Sequence, residues 1–165
     1  MKAASSKQIR DELKNKNQKE LLEYCLRLAR FKKENKELLT YLLFDADNES
    51  EYVQDVKEHI TRSFNEMNTS GYYYMRKGTR KILSTTKKYI RYSPVVETEI
   101  DLLVHFCEEM QQLKPSYKNN KVMKNTFESQ LALIEKKVNG IHEDLQLDFE
   151  PIIRKLKEEH TKIRY

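Results

Sequence analysis

Residues 72–92, YYYMRKGTRKILSTTKKYIRY, decide how this chain is read. At about 100° per residue, Tyr72, Met75, Ile82, Leu83, Tyr89 and Ile90 gather on one side of a helix together with Thr79 and Thr86. Arg76, Lys77, Arg80, Lys81, Lys87, Lys88 and Arg91 fill the other side, all within an arc of roughly 140°. At about 1.5 Å of rise per residue the segment is about 31 Å long, so the cations form one continuous stripe. Tyr73 falls inside the basic arc, and Tyr74 and Tyr92 flank it. Thr69-Ser70-Gly71 breaks the chain before this helix. Ser93-Pro94 ends it, because the residue before a proline avoids the α region.

The stripe stands out because charge is segregated along the whole chain. From Met67 to Val96 there is no Asp or Glu in thirty residues. Without the seven cations of that stretch, the 31 basic residues fall to 24 against 26 acids, so a net +5 protein is a +7 segment on a −2 remainder.

The same helical spacing recurs outside the stripe, and the turn formers that a sheet needs are scarce. Three Gly and three Pro in 165 residues lie far below ordinary usage. The expected fold is therefore all-α: a single-domain bundle, or a short array of α-α hairpins, of about six to seven helices. The domain covers residues 1–165, with 1–16 and 161–165 expected to fray. A charged fraction of 35% is high for a globule, but the regular recurrence of Leu, Ile and aromatic residues is not that of a disordered chain.

Ser5 and Ser6 cap a short first helix whose apolar face is only Ile9 and Leu13. Asn17 caps a helix over 18–32, where Leu21, Leu22, Tyr24, Cys25, Leu26, Leu28 and Phe31 cover most of the circumference, the pattern of a central helix. The wording Lys19-Glu20-Leu21-Leu22-x-Tyr24-x-Leu26 returns as Lys36-Glu37-Leu38-Leu39-x-Tyr41-x-Leu43 in a helix over 35–46, which suggests a hairpin of two similar helices. Further helices are expected over 51–68, over 95–113 with Val96, Ile100, Leu103, Phe106, Cys107 and Met110 inward, and over 120–147 with a weak point at Asn139-Gly140. A last helix opens at Asp148 and takes Pro151 in its first turn. Helices 18–32, 35–46 and 95–113 are expected to form the core. Cys25 and Cys107, set among Leu, Phe and Met, read as buried free thiols in a reducing compartment.

The motifs of most enzyme classes are missing. No Gly-x-Ser-x-Gly occurs, the three glycines are isolated, and His105 and Cys107, two apart, point about 200° away from each other on a helix. Asp55 with His59, and Asp101 with His105, have the i,i+4 spacing of paired metal ligands, but both pairs lie away from the apolar stripes and read as surface ion pairs. His142 reads as part of an exposed segment and His160 as lying near a frayed end. No cofactor and no catalytic residue is assigned.

Residues 1–16 hold no signal-peptide core, and no later stretch approaches a membrane span, so a cytoplasmic protein with no membrane partner is expected. The functional expectation is a non-enzymatic protein-interaction or scaffold module that uses the basic helix. Its candidate contacts are Arg76, Lys77, Arg80, Lys81, Lys87, Lys88, Arg91, Tyr73, Tyr74 and Tyr92, offered to an acidic protein or to a homo-oligomer contact. A nucleic acid held by the same face, with bases stacked on the tyrosines, is the first alternative, and a helical enzyme without local motifs the second. The bland alternative is a solvated face balanced by Glu51, Asp55, Glu58 and Glu66 of the preceding helix.

Overall fold

The computed structural model describes residues 2–162. The chain is all-α, about 80% helical, with eight α-helices and no strand among the described residues. It divides into two compact units, Met1–Phe44 and Asp45–Tyr165.

The first unit holds α1 (Ser6–Lys14), α2 (Gln18–Phe31) and α3 (Lys33–Thr40), followed by a widened π turn at Tyr41–Asp45. Both of its first helices start at reciprocal capping boxes. Ser5 pairs with Gln8 and Asn17 with Glu20, so two orphan N–H donors are satisfied at each end and even the apolar-poor α1 forms. The expected hairpin is present: α2 packs on α3, and Asn35 Nδ2 donates to the Leu28 carbonyl at 2.9 Å across the turn.

The expected core role of these helices is not. Neither α2 nor α3 holds a buried residue, and Phe31 is 76% exposed; within the expected 35–46 helix only Tyr41, in the π turn, is buried. A helix can be apolar around most of its circumference without a neighbour on every side, and the two short helices bury little beyond their common seam. Cys25, expected in the core, is exposed for the same reason.

The second unit holds α4 (Glu49–Asn65), α5 (Tyr72–Ile90), α6 (Val96–Gln112), α7 (Lys121–Val138) and α8 (Glu143–Thr161). Helix α6 is central and packs against the other four. Its buried residues, Thr98, Ile100, Leu102, Leu103, Val104, Phe106, Cys107 and Met110, point in every direction because a neighbour lies in every direction. Val96, expected inward, sits in the first turn and is 39% exposed. Phe64 of α4 meets Phe106 at a ring-centroid distance of 5.4 Å, a tilted aromatic pair at the heart of the unit. The α4–α6 contact is also tied at its start, where the Glu49 carboxylate accepts from the Ser93 and Thr98 hydroxyls, each at 2.5 Å.

At the C-terminal end the chain breaks at Asn139-Gly140, and α8 begins at Glu143, ahead of the expected Asp148. Pro151 therefore lies in the helix interior rather than in the first turn, and the helix forgoes one i→i−4 hydrogen bond there. His160, expected near a frayed end, is built in: it stacks on Phe127 at 4.8 Å and lies 2.8 Å from the Tyr117 hydroxyl. Of residues 161–165, expected to fray, Thr161 closes α8 and 163–165 lie outside the described residues.

The basic face of α5 as a candidate binding surface

Helix α5 divides along the line that its spacing predicts. Met75, Thr79, Ile82 and Thr86 are buried, and Tyr72 is anchored by its hydroxyl, which donates to the Ser116 carbonyl at 2.9 Å. Packing is tight enough at one point to explain a glycine inside the helix. The Met67 side chain occupies the space that a Cβ at Gly78 would need.

On the other face, Lys77, Arg80, Lys81, Lys87 and Arg91 are exposed, and Arg76 is half-buried. Among the described residues none of these six has a carboxylate within 4.0 Å, although basic residues elsewhere in the unit do: Lys57 with Asp101 at 3.7 Å, Lys137 with Glu99 at 2.6 Å, and Lys157 with Glu135. Among the described residues, Glu51, Asp55, Glu58 and Glu66, the acids proposed as a balance, come within 4.0 Å of none of these six. Glu51 instead takes the Asn48 amide and Glu58 the Gln54 amide.

The seventh cation, Lys88, differs. Its ammonium lies over the Tyr89 ring, 4.8 Å from the centroid, in a cation–π contact that uses the side chain within the fold.

The three candidate tyrosines separate. Tyr73 and Tyr74 are 64% and 50% exposed and meet edge to face at 5.3 Å, an open aromatic corner beside Arg76 and Lys77. Tyr92 is buried against Tyr89 and offers no surface. Helix α5 ends at Ile90, so the helical angle used to place Tyr92 on the flank no longer applies at that position.

Beside the stripe, α5 and α7 each pack on α6 but approach one another little. The result is a groove of about 410 Å³ with Arg76 and Arg80 on one wall and Ser129 and Gln130 on the other. Gln130, which is not one of the candidate contacts, is 5% exposed, and its Oε1 has no hydrogen-bond partner among the described residues. A glutamine at a position with apolar spacing in α7 was the available signal, since buried polar groups are normally satisfied.

The histidine–acid pairs fall differently from their spacing. Asp101 is taken by Lys57, while His105 turns to Thr61 of α4 and to Glu108 and Glu109 of its own helix. The Thr61 hydroxyl donates to Glu109 at 2.6 Å, so it accepts from His105 Nε2 at 2.8 Å. That assignment leaves Nε2 protonated, so His105 is not the base of this hydroxyl, and the arrangement clamps α4 to α6. His105 also holds the Glu108 carboxyl below the usual carboxylate range. His59 packs edge-on against Tyr89 at 5.6 Å. Among the described residues no three His, Cys, Asp or Glu side chains come together as a metal site, and no helix is long and apolar enough to cross a membrane.

Comparison with known protein families, with curated proteins and with solved structures finds no match to this chain.

Proposed function

We propose that the second unit is a non-enzymatic interaction module of the cytoplasm that holds an acidic segment of a partner protein along the exposed face of α5. The observation that carries this reading is the run of six cations, Arg76, Lys77, Arg80, Lys81, Lys87 and Arg91, which have no carboxylate within 4.0 Å among the described residues, in a unit where Lys57, Lys124, Lys137, Lys157 and Lys162 each have one. Surface cations in a balanced fold lose little by pairing locally. Six left open on one face give the potential that steers an oppositely charged surface into register.

Single-stranded nucleic acid is a second reading, supported by the exposed Tyr73–Tyr74 corner, where a base could stack. Capture from native lysate with wild-type protein and with a combined Arg76→Gln, Arg80→Gln, Lys87→Gln, Arg91→Gln variant separates the two. An acidic protein is retained by wild type, survives nuclease treatment and is lost with the variant. Retention that disappears with nuclease supports the second reading. Equal retention by both proteins removes the stripe from either.

A further inference from the structure

The groove between α5 and α7 adds what a charged face alone lacks, a place that distinguishes one ligand from another. Arg76 and Arg80 lie four residues apart on one helix face and converge on its mouth, neither held by a carboxylate among the described residues. Leu83 and Val122 supply apolar wall. The Ser129 hydroxyl is spent on the Asn125 carbonyl of its own helix. Gln130 offers the opposite polarity to the arginines. Among the described residues its amide N–H₂ reaches only the Thr126 carbonyl, at 3.5 Å, and its carbonyl oxygen, shut off from solvent, has no partner. A buried acceptor left in this state is costly, and a donor that enters the groove and reaches it recovers the loss.

The occupant must therefore bring an anion and an N–H donor a short distance apart, joined by an apolar stem. An aspartate or glutamate residue within a polypeptide has this composition: a carboxylate, one or two methylenes, and its own backbone N–H. A phosphodiester strand brings the anion, but the groove has no aromatic lining on which its base could stack. We propose that the α5–α7 groove is the pocket that recognises an acidic side chain of the partner segment. Arg76 and Arg80 bridge the carboxylate, Leu83 and Val122 hold the stem, and the Gln130 carbonyl accepts the backbone N–H. This assignment rests on the acidic-partner reading above and specifies its central contact.

The test is a titration of the isotope-labelled full chain, at low salt, with a blocked peptide of alternating glutamate and serine, followed by NMR. Wild type is compared with Ser129→Phe, Gln130→Leu and the double variant Lys87→Gln, Arg91→Gln. Ser129→Phe fills the groove and leaves every charge in place. The expected result is resonance shifts at Arg80, Ser129 and the Gln130 side-chain amide, with affinity reduced about tenfold or more by Ser129→Phe and several-fold by Gln130→Leu. The double variant, which alters only the outer stripe, should cost no more than about threefold. If the peptide binds wild type and both groove variants equally, with shifts along the outer stripe, the pocket is refuted while the acidic-partner reading stands. If the peptide binds none of the proteins, both fall. A single-stranded oligonucleotide that shifts the groove resonances where the peptide does not overturns the assignment. Thermal melting confirms that Ser129→Phe folds. Should it not fold, unchanged affinity in Gln130→Leu is by itself the refuting result.

Discussion

The two cysteines offer a sharp test of how the units are built, because the structure places chemically identical groups in opposite settings. Cys25 lies on the exposed surface of α2, while Cys107 is fully buried on α6, where burial first and the Glu108 charge second push its thiol up to about 12. Only the thiolate attacks a thiol reagent. At pH 8 a group with that pKa is about one part in ten thousand ionised, so chemistry alone slows Cys107 by orders of magnitude. Burial adds a second barrier, since the reagent reaches Sγ only when α6 opens, and α6 is the helix that all others in its unit cover. Native protein treated with a maleimide and mapped by peptide mass should show Cys25 labelled promptly and Cys107 slower by at least about a thousandfold. In denaturant the two should label together. Native-state rates for the two thiols within tenfold of each other, or Cys107 reacting first, would refute both the central position of α6 and the open face of α2.

The same buried thiol makes stability depend on pH at the alkaline end. Its folded pKa is raised, so the unfolded state loses its proton first, and stability falls as pH climbs above about 9 towards 12, by about 1.4 kcal/mol per unit. Urea titrations at a series of pH values should show this slope in wild type and its reduction in Cys107→Ala. Phe106→Ala removes a fully buried ring against Phe64 and should cost about 3–5 kcal/mol in denaturant unfolding, whereas a loss under about 1 kcal/mol would mean the site collapses or is not core. Glu49→Ala strands the Thr98 hydroxyl, itself 2% exposed, and should cost about 1–3 kcal/mol, with Glu49→Gln milder because it keeps an acceptor.

Much of the second unit could be read locally. The start of α5 and its division into a buried and a cationic face follow from spacing that lies within a few turns of helix, and so do Ile100, Leu103, Phe106, Cys107 and Met110 of α6, whereas the burial of Thr98, Leu102 and Val104 comes from neighbours on its other sides. What failed depended on partners far along the chain. Leu22, Leu26, Leu28 and Phe31 give α2 the wide apolar arc of a central helix, but the arc reports only what the helix could bury. Whether anything covers it is decided by other segments, and here they leave all four exposed. His160 was placed in a fraying end because nothing near it in sequence holds it, yet its neighbours are Tyr117 and Phe127, more than thirty residues away. Tyr92 and Lys88 were counted into the candidate surface by angle alone, and each is claimed by Tyr89, one through the end of the helix and the other through a ring contact. The groove was not legible at all, because it exists only where α5 and α7 are both seated on α6.

The central claim is that the open cations of α5 hold an acidic polypeptide. Its most direct measurement is fluorescence anisotropy of two labelled probes, the blocked glutamate–serine peptide and a single-stranded oligonucleotide of matched charge, each titrated with wild-type protein and with the Arg76→Gln, Arg80→Gln, Lys87→Gln, Arg91→Gln variant across a salt series. The account predicts that wild type binds the peptide at least as tightly as the oligonucleotide, that binding weakens with salt, and that the variant loses about tenfold or more in peptide affinity while keeping its fold. Wild-type protein that binds neither probe at low salt, or a variant that binds the peptide as well as wild type does, would contradict it.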